Sequence, residues 1–192
     1  MKAKAKTVLQ PLKISCTSTA CDKGLHCFLQ KKKLKAASIS GKCRDCGADL
    51  VDWKRVHKRA LADAPYTFNA LKYELIRHHF WHIDIDQKAI NHARRKGKIG
   101  MREAAEERIR HSVGPAEPTF DGRQTPREGN ALFYAQHATA TCCRKCIEEW
   151  HGILRGVQLE EAVIKYFLEL LVLYVEDRLS FLSTDGEVIP RN

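Results

Sequence analysis

Eight cysteines in a chain of 192 residues constrain its fold more than any other feature. Five stand at positions 16, 21, 27, 43 and 46, and three at 142, 143 and 146. No apolar run reaches the roughly 18 residues that a bilayer span needs. The basic N-terminus is not followed by an apolar signal core. The expected setting is therefore a reducing cytoplasm, with no membrane partner, where thiols rarely persist as disulfides. Cysteines in that setting point to metal or to redox chemistry, with metal favoured here.

The strongest local motif is Cys43-Arg44-Asp45-Cys46-Gly47. Two thiolates three positions apart on a tight turn make a zinc knuckle, and the glycine permits the positive φ that turns backbone N–H groups toward the sulfurs. A knuckle supplies half of a tetrahedral ligand set. Cys16 and Cys21, upstream, are the expected other half, which makes residues 14–52 a zinc-ribbon-like module. His26 and Cys27 are spare candidates, although Cys27 also reads as a buried thiol between Leu25 and Phe28. The segment is too poor in large apolar residues to fold alone, so its metal would have to supply the stability.

The second group sits in "AQHATATCCRKCIEEWHG", residues 135–152. Cys143 and Cys146 fall where a helix is expected to begin, and the positive end of that helix favours thiolates. His137 is the expected third ligand, with His92 beside it and Cys142 and His151 as alternates. One merged treble-clef-like site, made of Cys43, Cys46, Cys143 and Cys146, ranks second, because it would leave Cys16, Cys21 and Cys27 without a partner pair. The cofactor read from this arithmetic is Zn2+, in two copies. Iron is an alternative, since Cys/His sites hold either.

The rest of the chain reads as mainly α. Phe68, Leu71, Leu75, Ile76 and Phe80 lie at helical spacing in "TFNALKYELIRHHFWHI". A second helix is expected from an N-cap at Asp84, with stops at Gly97 and Gly100, and a third over "MREAAEERIRHSVG". Residues 114–130 should be a loop, "ALFYAQHA" a short strand or a helical turn, and residues 159–179 a helix with a broad apolar stripe. The expected organisation is a basic lead-in over 1–13, the cysteine module over 14–52, a helical core over 53–182 carrying the second site at a helix N-terminus, and a tail over 183–192.

The run "DGRQTPREGNALFYAQHATATCCRKCIEEWHGI", residues 121–153, closely resembles an uncharacterised bacterial family, domain of unknown function forty-one eighty-six. "AINHARRKG" upstream is similar to another of its segments, and the resemblance covers roughly residues 72–175. It implies that the N-terminal cysteine segment is an addition and that the second cluster binds metal without Cys43 and Cys46. It implies no activity.

Charge supplies the functional reading. Lys and Arg total 33 against 23 Asp and Glu, a formal net charge of +10. Such an excess favours a nucleic acid partner, DNA or RNA. The candidate contacts are Lys31, Lys32, Lys33 and Lys35, then Arg55, Lys58 and Arg59, then Arg94, Arg95 and Lys96. Trp53 and Trp81 are possible stacking platforms, though core positions suit them better. The alternative function is a metal-dependent nuclease, for which His78, His82 and Asp84 are weak candidates. A zinc deaminase is excluded because the His92-Ala93-Arg94 stretch lacks the required glutamate. A thioredoxin-like protein is excluded by the lack of alternating strands.

Overall fold

The structure is a computed structural model that describes residues 14–29, 41–120 and 122–190. The lead-in and the "KKKLK" run with Lys31, Lys32, Lys33 and Lys35 lie outside the described residues. The described chain is mainly helical. Its helices are α1 (Trp53–Lys58), α2 (Ala64–Leu71), α3 (Leu75–His82), α4 (Gln87–Ser112), α5 (Ala131–Ala138), α6 (Arg144–His151) and α7 (Glu161–Arg178). Among the described residues there is no strand, only isolated bridges between Ala20 and Leu25 and between His26 and Glu74. The N-terminal cysteine segment is therefore a knuckle and a short 3-10 turn (Cys21–Lys23) joined by coil.

The apolar stripe expected on the last helix is the centre of the fold. Tyr166, Phe167, Leu170, Leu171 and Tyr174 of α7 are fully buried, and α7 packs against α2, α4 and α5. Burying each of these side chains contributes about 1.5–3 kcal/mol. The two tyrosine hydroxyls find partners inside: Tyr166 donates to Thr67 Oγ1 at 2.7 Å and Tyr174 to the Phe80 carbonyl at 2.8 Å. The "ALFYAQHA" run resolves as helix α5, started by Asn130, whose side chain accepts from Leu132 N–H at 2.9 Å.

Three boundaries differ from the sequence reading. The helix expected through Phe68 to Phe80 is broken, because Glu74 is extended at φ −90°, ψ 125°. His26 docks at the break, donating to Tyr73 O at 2.7 Å and accepting from Leu75 N–H at 2.9 Å. The N-cap of α4 is Asp86, not Asp84: Asp86 Oδ1 accepts from Ala89 N–H at 2.9 Å. Gly97 does not stop α4 but breaks its ladder in mid-course, at φ 64° and ψ −177°. The C-terminal segment fills that break. Lys98 and Ile99 N–H donate to the Ser183 and Thr184 carbonyls, and Glu187 N–H donates to Arg94 O.

A second, smaller apolar cluster joins the N-terminal segment to the helices. Phe28, Val51, Val56, Leu71 and Trp150 are buried together in it. The Trp53 ring lies 5.1 Å from that of Trp150 and 5.6 Å from that of Phe28, and Trp81 stands buried against Phe68. Trp81 is a core residue, and Trp53 is half-buried with its ring packed against the smaller cluster, so neither stands as a free stacking platform.

Gly97 gives a direct test of this packing. Its dihedrals belong to a region that is essentially glycine-only, and an added Cβ would lie 2.3 Å from the Asp185 carbonyl carbon. Gly97→Ala is predicted to cost at least about 1–3 kcal/mol from backbone strain alone. Thermal unfolding followed by circular dichroism should show a midpoint lower by about 2 °C or more.

Candidate metal centres

The knuckle forms as its sequence implies. Gly47 sits at φ 76°, and its N–H donates to Cys43 O at 2.9 Å. Burial pushes the Cys43 thiol up, but N–H groups of Cys46, Cys27 and Asp45 point at its sulfur and pull it down to about 6. Cys21, across the turn, is pushed up to about 12 by burial and by sharing protons with Cys46 and Cys43. A bound dication is what allows such neighbouring thiols to ionise together.

Cys21, His26, Cys43 and Cys46 converge, each offering one ligand atom. Cys21 Sγ and Cys43 Sγ are 3.8 Å apart, and Cys46 Sγ and His26 Nδ1 are 3.4 Å apart. Zn–S bonds of about 2.3 Å and Zn–N bonds of about 2.0 Å give a tetrahedron with edges of about 3.8 Å (S to S) and about 3.5 Å (S to N). The donor set fits a tetrahedral soft-ligand ion. The expected partner Cys16 is absent from this set and His26 takes its place. The same backbone of His26 that bridges Tyr73 and Leu75 holds the imidazole over the knuckle. Cys27 is fully buried and its thiol donates to Cys16 O at 3.1 Å, as a core thiol would.

Cys16 instead reaches the second group. A turn in which Ser18 N–H donates to Ser15 O carries it away from the knuckle, and its thiol shares a proton with Cys146. Cys142, Cys143 and Cys146 present sulfurs that all lie within 4.8 Å of one another. Cys143 is the N-cap of α6 and Cys146 lies in its first turn. Cys142, expected only as an alternate, is a full member. Cys146 is held well below the usual thiol range by hydrogen bonds from Cys142, Cys143 and Cys16, and by Arg77. The second group is thus three mutually close sulfurs, distinct from the knuckle, with the Cys16 thiol hydrogen-bonded to Cys146 at its edge. The merged site of Cys43, Cys46, Cys143 and Cys146 does not form.

The histidines expected here lie elsewhere. His137, on α5, stacks on Phe80 with ring centroids 4.4 Å apart, and its Nε2–H is shared between the Thr125 and Pro126 carbonyls at 3.3 and 3.1 Å. It lines a cavity with the cysteines but is not one of the grouped ligands. Burial first, then the Arg77 charge, lowers its pKa to about 4, so the ring is neutral. His151 is fully buried and donates Nε2–H to Thr139 O at 3.0 Å. It lies five positions beyond Cys146, about 140° further round the α6 axis, and so faces away from the sulfurs. His92, on α4, belongs to neither group.

Under the second cluster lies a buried ion pair that the sequence reading missed. Arg77 Nε donates to Glu74 Oε2 at 2.9 Å, with both side chains 3% exposed. Its Nη1 donates to His137 O at 2.7 Å and its Nη2 to Cys146 Sγ at 3.2 Å. Glu74 Oε2 also accepts from Trp150 Nε1 at 2.6 Å. Arg144, inside the Cys-X-X-Cys pair, is fully buried and spends its guanidinium on the carbonyls of Val113, Leu154 and Val157. Periodicity flags neither arginine, since both read as exposed helix positions.

The other candidates are scattered. His78 and His82 stack at 3.9 Å on one face of α3, His82 and Asp84 are exposed, and no group of metal-ligating side chains includes them. Arg55 pairs with Asp63 and Arg94 with Glu187, both at 2.6 Å, while Arg59 donates to His151 O. Lys54, Lys58 and Lys96 are exposed and Arg95 is half-buried. No described helix is long and apolar enough to cross a membrane.

Removing one half of the buried pair leaves the other half uncompensated. Arg77→Met is predicted to cost about 3–5 kcal/mol in chemical denaturation. The double variant Glu74→Gln/Arg77→Met should recover part of that loss, because no buried carboxylate is then left without its cation. A double variant as unstable as the single one would assign the cost to packing instead.

No solved structure matches the chain. Residues 65–176 match the family described as a domain of unknown function (DUF4186). That span holds Glu74, Arg77 and the cysteines at 142, 143 and 146, whereas the knuckle and Cys16 precede it. With more than half of its length inside the match, the chain belongs to this family of unknown function.

Proposed function

We propose that the protein is a two-zinc nucleic-acid-binding protein, in which both ions are structural anchors for a basic helical surface. The observation that carries the metal half is the geometry of the first cluster, whose 3.8 and 3.4 Å separations are edges of a zinc tetrahedron. The second cluster offers thiolates alone, which also select zinc over hard cations. Burial of Cys43, Cys142 and Cys146 among apolar side chains suits structural sites.

The nucleic-acid half rests on charge. The formal net charge is +10, and Lys54 and Lys58 on α1 and Arg95 and Lys96 on α4 stand at or near the surface. Such side chains neutralise phosphates and release counterions without reading sequence. Arg55 and Arg94 contribute less, since carboxylates already hold them. The second reading, a metal-dependent nuclease, draws on the cavity that His137 shares with Cys143 and Cys146. It requires plasmid cleavage that chelation abolishes.

Metal content is the first test. Protein purified without added metal should carry about two zinc ions per chain. Cys21→Ser and Cys16→Ser should each lower that by about one, the first by emptying the knuckle and the second by weakening the α6 cluster. If Cys16→Ser instead removes the knuckle's ion, the assignment of Cys16 is overturned.

Salt dependence is the second test. Affinity for a mixed-sequence oligonucleotide should fall about a thousandfold between about 50 and 200 mM salt if roughly six phosphates are engaged. Lys54→Ala/Lys58→Ala should weaken all sequences about equally, as measured by fluorescence anisotropy. Binding that ignores salt, or no binding to DNA or RNA at all, would sink this half of the proposal.

A further inference from the structure

A cavity of about 430 Å3 opens beside the second cluster. Cys16, Cys143 and Cys146 form one part of its wall, His137 another, and Arg123 and Arg127 a third. Among the described residues no carboxylate lines it. Arg123 and Arg127 are exposed, on the loop between α4 and α5, and neither joins an ion pair among the described residues. The loop that carries them is held from inside. Thr125 Oγ1 donates to Gln136 Oε1 at 3.0 Å, and Arg108 Nη2 donates to Gln124 O at 2.8 Å. The two arginines therefore flank a fixed point and are not spread along a mobile tail.

We infer that this cavity is an anion site that takes one phosphate group, either a phosphodiester of a nucleic acid strand or the phosphate of a free nucleotide. The inference rests on the reading of the second cluster as a metal site. A dication with the thiolates of Cys142, Cys143 and Cys146 carries one net negative charge, and Arg77 adds none because Glu74 already neutralises it. Arg123 and Arg127 contribute two positive charges that no described carboxylate pairs, so the cavity has a net positive charge that an anion completes. Guanidinium pairs fit the tetrahedral oxyanion with forked hydrogen bonds. Phe80 and Ile76 supply an apolar wall, as ligand cavities of about 300–1,000 Å3 commonly have. The neutral His137 ring donates Nε2–H to the loop carbonyls, which leaves Nδ1 as its lone pair and adds no competing charge.

The test uses the metal-loaded full chain and inorganic phosphate, titrated against the carbon–proton signals of the His137 ring. Saturable shifts of those signals are expected. Arg123→Ala/Arg127→Ala should weaken phosphate binding by about tenfold or more with metal content unchanged. Lys54→Ala/Lys58→Ala should leave phosphate binding intact. A short oligothymidylate that binds and shifts His137 identifies the strand as the source. Phosphate binding with no oligonucleotide binding identifies a free nucleotide, and then the nucleic-acid reading fails while the cavity stands. Loss of the second metal would mark failure of the metal reading. Full metal content with no phosphate-dependent shift, or equal affinity in the double arginine variant, would overturn the inference itself.

Discussion

The Glu74–Arg77 pair is the interaction on which the rest of the structure depends. Two ionised groups taken out of water cost several kcal/mol each unless every donor and acceptor is met. Here the side chains meet one another and then four other segments. Arg77 reaches the end of α5 through His137 O and the start of α6 through Cys146 Sγ. Glu74 reaches the far end of α6 through Trp150 and the N-terminal segment through Phe28 N–H at 3.4 Å. An apolar pair of equal volume would pack as well, but it would leave the buried Cys146 thiolate without a cation. Arg77 therefore gives Cys146 a charged donor, while Glu74 holds that guanidinium in place and joins the helices.

This explains why some of the molecule was legible in its sequence and some was not. The last helix was legible because its stripe has the helical period, and the knuckle because Cys-X-X-Cys followed by glycine is a local geometry. The break between α2 and α3 was not, because Lys72, Tyr73 and Glu74 have ordinary helical propensity. The break is imposed by His26 docking on backbone that is distant in sequence. The ligand partition failed for the same reason. Spacing put Cys16 with Cys21, yet a turn at Ser15 to Ser18 sends it to Cys146 while His26 closes the knuckle. Gly97 reads as a stop because glycine suits the positive φ at which helices end, and its backbone does leave the helix. What continues α4 is the carbonyls of Ser183 and Thr184, 85 positions beyond the Lys98 and Ile99 N–H groups they accept from.

The runs that carry the family resemblance turn out to be mostly scaffold. In "QHATATCCRKC", Gln136 accepts from Arg108 and Thr125 and donates to Thr141 O. Thr139 donates to Ala135 O, and Ala140 turns the chain through a positive φ of 57°. Arg144 closes three carbonyls that no helix satisfies. Each of these groups is buried, so an unmet partner would cost about 1–3 kcal/mol. Such residues cannot be exchanged one at a time, and that alone makes a run look distinctive. Fewer of them bear on the proposed sites: the three cysteines, and the loop with Arg123 and Arg127.

The two clusters are separate as ligand sets but joined as a folding unit. Cys43, Cys142 and Cys146 lie in one apolar cluster with Phe28, Val51 and Trp150. The segment that holds the knuckle has little apolar surface of its own, so its order depends on that shared cluster and on any ion that Cys21, His26, Cys43 and Cys46 hold. An ion held by the first cluster would fix the His26 ring, and with it the backbone bridge to Tyr73 and Leu75 that sets the extended conformation of Glu74; without it His26 would be free to leave. Glu74 would then no longer be fixed under Trp150 and Arg77, and Arg77 would no longer be fixed under Cys146. The knuckle precedes the family region in sequence, yet through one carboxylate it positions the sulfurs inside that region.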